Sequence, residues 1–507
     1  MSNKIANKLV VAGALAAAGI AATAQAQPDM RMCQLYNLTM VFNGTAAREG
    51  DTVGFAVATT SWNVGNEQLL WEESPDWDHP MIIQNLYRLK DGRFSQVGQS
   101  WIKHGFFALS NTQCGGSCAG TNGTRLGVGC TDTYSASLNG SQGGLGPRYE
   151  VNPWSGQWNY QGSVFQVGGV ANNKITRRLQ VKDADIDPSL NGGAFYYIEG
   201  YYVCKDDMNV MNSAAWRPAG VNSGTSGTTY SMSPTSGTAG VLPNSGFAID
   251  AWTGARQTMV AQQLPIVENI ASNPVGTWSP DGRAIIACKV YDNGDGTWRY
   301  EYALLNIDMD RQIGSVSIPV PANVDITNIG TSAVLHHNEP YAWSTVTGYS
   351  AGSGTGGTRT HGKAIDNSNW TISTSRVGEV RWETVPVGDA APSNPIRWGT
   401  MRNFWFTANT GPTDGSAEVG LFKTGAVMSV SGVTDVPTAA APPPFCFGDA
   451  DGNNVIDFDD ISSVIANWGA SYTPGSAGAG DANNDGSVDF NDINEVIANW
   501  GGACAGA

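Results

Sequence analysis

Apolar and polar residues alternate along most of this chain with the period of two that marks a half-buried strand. Asn85 to Trp101 (NLYRLKDGRFSQVGQSW) holds two such runs on either side of Asp91-Gly92, a pair that favours a tight hairpin turn. Ile285 to Ile307 (IIACKVYDNGDGTWRYEYALLNI) repeats the arrangement around Asn293-Gly294-Asp295-Gly296. The DNGDG run from Asp292 looks like a calcium loop for five residues only, and a hairpin turn is the simpler reading. Val377 to Val387 (VGEVRWETVPV) alternates as one strand, and Arg397 to Ala408 (RWGTMRNFWFTA) reads as a further strand pair. No long amphipathic helix precedes residue 450. The pattern predicts a mainly β protein, with an antiparallel, sandwich-like body of one or two domains and a small α module at the C-terminus.

Breaks in the pattern suggest the divisions. Gly220 to Gly246 and Thr347 to Gly362 are rich in Gly, Ser and Thr, while Thr434 to Pro444 (TDVPTAAAPPP) favours an extended spacer. The expected organisation is a leader over 1–26, β-rich domains over 27–219 and 247–433 joined by a loop or linker over 220–246, a linker over 434–445, and a terminal module over 446–507.

In that terminal module the period changes. Ile461, Val464, Ile465 and Trp468 fall at i, i+3, i+4 and i+7, and Ile493, Val496, Ile497 and Trp500 repeat the spacing 32 residues later. Each set predicts a short helix with one apolar stripe, ending at Gly469 or Gly501. An acidic string precedes each helix. Counted from Asp449, side-chain oxygens stand at positions 1, 3, 5, 9 and 12, namely Asp449, Asp451, Asn453, Asp457 and Asp460. The second copy has Asp481, Asn483, Asp485, Asp489 and Asp492 at the same positions. Val455 and Ser487 would each add a backbone carbonyl at position 7, which completes the ligand set of a Ca²⁺ loop. Position 6 demands a residue tolerant of positive φ, and Gly486 and Asn454 meet that demand.

This loop-plus-helix duplication resembles the type I dockerin family, over about Cys446 to Cys504. The resemblance implies two bound Ca²⁺ ions and docking onto a partner protein, usually a cohesin on a scaffold or cell surface. Family members often carry a small hydroxyl residue at positions 10 and 11 of the docking face, where this chain has Phe458-Asp459 and Phe490-Asn491. From Cys446 onward there are nine Asp, one Glu and neither Lys nor Arg, so calcium binding is expected to be coupled to folding. A duplicated module tends to bring its ends together, which predicts a Cys446–Cys504 disulfide; pairing of each with a body cysteine is the alternative.

Composition narrows the class further. Lys4 and Lys8 precede an apolar run from Leu9 to Ala22 and an Ala24-Gln25-Ala26 cleavage signal, the pattern of a secretory signal peptide. No later run is apolar enough to span a membrane, and a secreted or cell-surface location is expected. Loss of Lys4 and Lys8 leaves 26 Lys+Arg against 44 Asp+Glu, a net charge of −18 that argues against nucleic acid and anionic membrane as partners. Eight cysteines, all after residue 26, suit disulfides in an exported chain. The Cys114, Cys118 and Cys130 spacing fits disulfides or structural thiols better than a zinc knuckle, because no His lies within the cluster.

The body carries no catalytic motif of the nucleophile-elbow, HExxH or phosphate-loop type. Its densest reactive set is Asp76, Asp78 and His79 with Lys103, His104 and Asp132, flanked by Trp71, Trp77 and Trp101 as possible stacking platforms for sugar. Paired carboxylates there would suit glycoside hydrolysis. Core tryptophans and an Asp–His loop hydrogen bond explain the same residues more simply. His336-His337 and His361 are poor metal ligands, since neighbours on a strand face opposite ways. Two functions follow. One is a non-catalytic body that binds a glycan or a surface and is tethered by its C-terminus. The alternative is a polysaccharide-degrading glycoside hydrolase delivered by a dockerin tag.

Overall fold

The computed structural model describes residues 27–39, 41–42, 45–72, 79–148, 151–154, 156, 174–223, 230–234, 242–262, 282–336, 345–349, 357–360, 367–374, 378–386, 393–425, 427–439, 446–473, 478–502 and 504. The leader expected over 1–26 lies outside them. The chain forms two compact units, one of Met1–Pro319 and Ile326–Val436, the other of Val320–Asp325 and Pro437–Ala507.

The first unit is built of antiparallel sheets, as the alternating pattern requires. Its strands are β1 (Met30–Thr39), β2 (Thr52–Asn63), β3 (Met81–Lys90), β4 (Arg93–Gln99), β5 (Leu179–Lys182), β6 (Phe195–Val203), β7 (Ala214–Ser223), β8 (Tyr230–Pro234), β9 (Arg256–Gln262), β10 (Gly282–Asp292), β11 (Trp298–Asn306), β12 (Ile313–Pro319), β13 (Ile326–Ala333), β14 (Thr371–Ser373), β15 (Glu379–Glu383), β16 (Thr400–Ala408), β17 (Pro412–Leu421) and β18 (Ser429–Pro437), with shorter pieces between. The largest sheet runs β1-β2-β5-β4-β3-β6-β7-β8. A second runs β9-β10-β11-β16-β13, and a third β14-β15-β12-β17-β18. Met81, Ile83 and Tyr87 of the first sheet pack in one buried cluster with Ile285, Leu305 and Met401 of the second, which is sandwich packing.

Both predicted hairpins form. Asp91 and Gly92 take φ of 51° and 83°, the paired positive values of a turn that follows strand twist, and join β3 to β4. The DNGDG run is the turn between β10 and β11, with the Asp292 carboxylate accepting from the Gly294 N–H. Arg397 to Ala408 differs from the expected strand pair. It is the single strand β16, paired with β11 on one side and β13 on the other. The polar Asn403 stays within the strand, where its amide donates 2.8 Å to the Phe94 carbonyl of the other sheet. Within the Gly/Ser/Thr-rich stretch after residue 219, β7 extends to Ser223 and pairs with β8.

A buried polar network fastens the first two sheets together. The Arg148 guanidinium donates to the carbonyls of Ser100 (2.8 Å), Gly399 (2.8 Å) and Gln84 (3.2 Å) and to Asn85 Oδ1 (2.8 Å). Glu199 accepts from Asn85 Nδ2 (2.8 Å), Tyr87 Oη (3.0 Å) and the Ala248 N–H (2.6 Å). Burial drags the Arg148 proton affinity down to a pKa of about 9, against the pull of Tyr87 and Glu199, and pushes that of Glu199 up. Two disulfides, Cys33–Cys114 and Cys118–Cys130, hold the loops over this unit, while Cys204 and Cys288 are buried free thiols.

The second unit contains the doubled string. Its helices are α1 (Phe458–Ala466) and α2 (Phe490–Ala498). Its halves are related by reciprocal backbone bonds. Gly448 N–H donates to Ala482 O and Gly480 N–H to Ala450 O; Gly469 N–H donates to Val488 O and Gly501 N–H to Ile456 O. Its core is likewise paired: Ala450 with Ala482, Ile456 with Val488, Val464 with Val496. The two-fold packing brings the ends together, and Cys446 and Cys504 are bonded with Cα atoms 5.6 Å apart. Closing so long a loop stabilises so small a core by roughly 4 kcal/mol on the chain-entropy view. The double variant Cys446→Ser/Cys504→Ser should therefore lose the protection of α1 and α2 amides from hydrogen exchange at a lower denaturant concentration; unchanged protection would show that the clasp is idle.

Both helices end earlier than the sequence suggests, at Ala466 and Ala498, and Asn467 and Asn499 cap them. Gly469 and Gly501 lie beyond, at φ of 82° and 75°. The apolar stripe also divides. Val464 and Val496 are buried, whereas Ile465, Trp468, Ile497 and Trp500 are more than half exposed, along with Phe458 and Phe490. Two nine-residue helices enclose one thin core layer, which a single row from each helix fills.

Candidate metal centre

Each acidic string wraps into a loop held by its own side chains. In the first loop, Asp449 Oδ1 accepts from Gly452 and Asn453, and its Oδ2 accepts from Asn454. Asp451 accepts from Asn453, and Asn453 in turn accepts from Val455. The second loop repeats the series: Asp481 accepts from Gly486, Asn483 from Asp485 and Asp485 from Ser487. The position-6 residues Asn454 and Gly486 have φ of 70° and 90°, as the loop reading requires. Position 4 is left-handed as well, through Gly452 at 76° and Asn484 at 58°. The two loops thus exchange Gly and Asn between positions 4 and 6.

Positions 9 and 12 also do work the ligand count does not reveal. Asp457 and Asp489 are the N-caps of α1 and α2, and Asp460 and Asp492 answer them in capping boxes. Asp460 accepts from the N–H groups of Ala450 (2.7 Å), Asp451 (3.1 Å) and Asp457 (2.8 Å), and Asp492 from Asn483 (3.1 Å) and Asp489 (2.8 Å). A position-12 carboxylate therefore ties the start of its loop to the start of its helix. The D-x-x-D spacing carried that signal in sequence.

The residues fit a hard cation. Carboxylate oxygens of Asp449, Asp451 and Asp460 all lie within 4.8 Å of one another. The second loop carries the same four carboxylates and one amide, with the Asn at position 3 instead of 5, and its Asp481 Oδ1 is fully buried with no hydrogen-bond partner. Burial raises the Asp481 pKa, and the nearby Asp492 and Asp485 carboxylates add to the rise. A cation among these oxygens removes both penalties.

The body candidates lie in the first unit. His79 and His104 do meet, Nε2 to Nδ1 at 2.9 Å, and both are buried against Phe106. Burial first, then the charges of His79 and Lys103, holds His104 well below the usual imidazole range. Burial lowers the Lys103 pKa too. Asp132 has a different partner, accepting from the Leu109 N–H at 3.0 Å. Trp71 and Trp101 are buried, so they are core residues and not stacking platforms. His336 is buried, with Nδ1 3.2 Å from Gln99. Asp76, Trp77, Asp78, His337 and His361 lie outside the described residues.

Burial pushes Asp132 up to a pKa of about 6. A carboxyl whose folded pKa exceeds its unfolded value favours the fold below that unfolded value and loses the effect as pH rises through the folded one. Asp132→Asn mimics the protonated form. Its melting temperature relative to the parent should rise between about pH 4.5 and about pH 7.5; a constant difference across that window would refute the assignment.

No protein-family model matches this chain, and no curated protein matches it.

Proposed function

We propose that this is a secreted protein whose C-terminal module binds two calcium ions and attaches a non-catalytic β body to a protein partner, the body itself holding a glycan or a surface. The observation that carries this reading is the reciprocal duplication of a complete oxygen-ligand loop. Asp449, Asp451, Asn453, Asp457, Asp460 and the Val455 carbonyl would hold one ion, and Asp481, Asn483, Asp485, Asp489, Asp492 and the Ser487 carbonyl the other. Calcium supplies the positive charge that a module with ten acids and no base lacks. The chain's residues supply the cradle: loops kept in register by their Asx bonds and by buried Asp460 and Asp492. Three disulfides agree with an oxidising, exported setting.

Docking is supported by the exposed side of each helix. Phe458, Ile465 and Trp468, and their copies Phe490, Ile497 and Trp500, are large, apolar and uncovered. The acidic surroundings select a protein partner with an apolar surface rimmed by Lys and Arg. That is the chemistry expected of a cohesin-like surface protein, met here through aromatic residues at position 10. The non-catalytic reading of the body is supported by the described candidates: His79 and His104 are buried and meet each other, and Asp132 is buried and bonded to backbone.

The intact chain should be retained on cell-envelope preparations of its source organism in calcium and released by a chelator. Trp468→Ala/Trp500→Ala should reduce retention by about tenfold or more without lowering the melting temperature, since both rings are exposed. Retention that survives the chelator, or that the variant keeps, would contradict docking.

A further inference from the structure

A cleft of about 380 Å³ lies against the first sheet of the body, within the small-ligand range of about 300–1,000 Å³. Its wall includes Arg88, Arg93, Ser95, Lys182, Asp185 and Ser332. Among the described residues, three cations thus share one wall with a single carboxylate, in a chain of net charge −16. The register explains the grouping. Arg88 on β3 stands opposite Ser95 on β4, and β5, which carries Lys182, is the next strand along.

The guanidinium of Arg93 is held before any ligand arrives. Its Nε and Nη2 donate to Glu301 at 2.7 and 2.9 Å, and its plane lies 3.6 Å over the Trp405 ring. Nη1 makes neither of those bonds. Arg299 also donates to Glu301, at 3.1 Å, so one buried carboxylate faces two guanidinium groups and leaves positive charge in excess. Arg88 is tied to Asp185 at 3.2 Å and to Asn191 at 2.7 Å. Lys182 meets Asp51 at 2.7 Å, but that carboxylate is mostly exposed, where water screens the pair. The hydroxyls of Ser95 and Ser332 have no hydrogen-bond partner among the described residues and suit the hydroxyls of a sugar.

We propose that this cleft binds an acidic saccharide, its carboxylate or sulfate ester held by Arg93, Arg88 and Lys182 and its hydroxyls by the serines. The proposal rests on the reading of the body as a glycan binder and names the class of glycan. Hydrolysis is not part of it, because among the described residues the one carboxylate in the wall is Asp185, already paired with Arg88.

Calorimetric titration of the full chain with trigalacturonate, with its uncharged methyl ester and with a sulfated galactose disaccharide tests the cleft. One of the two acidic sugars should bind at least about tenfold more tightly than the ester. Ser95→Asp, which places a carboxylate in the wall without breaking a bond of the fold, should weaken that binding by about tenfold, and Lys182→Gln severalfold, both with parental melting temperatures. An ester that binds as tightly as the acids, or variants that bind like the parent, would overturn the cleft while leaving the body a glycan binder. Failure of every sugar, charged or neutral, would overturn both.

Discussion

Removing calcium should unfold the C-terminal module. In far-UV circular dichroism of the full chain, a chelator should abolish the helical signal of α1 and α2, and the amides of Val464 and Val496 should exchange at once. The reason is the thinness of what remains without metal. Six residues, Ala450, Ile456, Val464, Ala482, Val488 and Val496, make up the fully buried core. Against it stand two fully buried carboxylates, Asp460 and Asp492, and the unpartnered Asp481 Oδ1. Ten acids without a base repel one another throughout. Each ion present at a hundredfold excess over its dissociation constant stabilises the folded form by about 2.7 kcal/mol, so two supply about 5 kcal/mol that the apo module lacks. The clasp keeps the unfolded ends joined but replaces none of the missing charge. A helical signal and amide protection that persist in chelator would defeat this expectation.

Arg148→Ala should destabilise the body by about 5 kcal/mol, a loss typical of removing one member of a buried, hydrogen-bonded charge network. The Ser100 carbonyl and Asn85 Oδ1 lose the guanidinium as donor, while the carbonyls of Gln84 and Gly399 each lose one of two donors and keep the Ser100 N–H and Asn85 Nδ2. Glu199 loses the guanidinium that favours its ionised form and keeps its burial. Ser100, Gln84 and Asn85 belong to the first sheet region and Gly399 leads into β16 of the second, so the two sheets lose a shared fastening. Arg148→Lys should recover little, because an ammonium cannot reproduce four fork-like bonds. Glu199→Gln should cost less than Arg148→Ala, since the amide oxygen still accepts and the buried charge is gone. Urea unfolding followed by tryptophan fluorescence measures all three. A loss below about 1 kcal/mol for Arg148→Ala would mean that water replaces the guanidinium at no penalty.

Local chemistry made parts of this structure legible in sequence. Asp91-Gly92 can satisfy two positive φ values in succession, so the turn follows from the pair itself. Asn454 and Gly486 likewise satisfy position 6 of each loop. The Cys446–Cys504 bond follows from duplication, because a two-fold module returns its end to its beginning. What was hidden depends on residues far apart in the chain. Cys33 and Cys114 are separated by 81 residues, and no local pattern distinguishes that pair from the others. Arg148 is a loop arginine until Gly399, 251 residues away, supplies a carbonyl beside it. Arg397 to Ala408 reads as a strand pair until Asn403, in the middle of one strand, finds the Phe94 carbonyl of the other sheet. The helical stripes were visible, but not the division that buries Val464 and exposes Ile465, because one helix alone does not say how wide its neighbour is. The binding cleft was equally invisible: Arg88, Ser95 and Lys182 become neighbours only through the order β3-β4-β5.

Calcium stoichiometry tests the central claim most directly. Isothermal titration of the chelator-stripped full chain should give two calcium ions per molecule. Asp449→Ala and Asp481→Ala should each retain one, and the double variant none, because each deletes a position-1 carboxylate from one loop. Parental binding of two ions by the double variant, or no calcium binding by the unaltered chain, would contradict the reading of the doubled string as a pair of calcium sites.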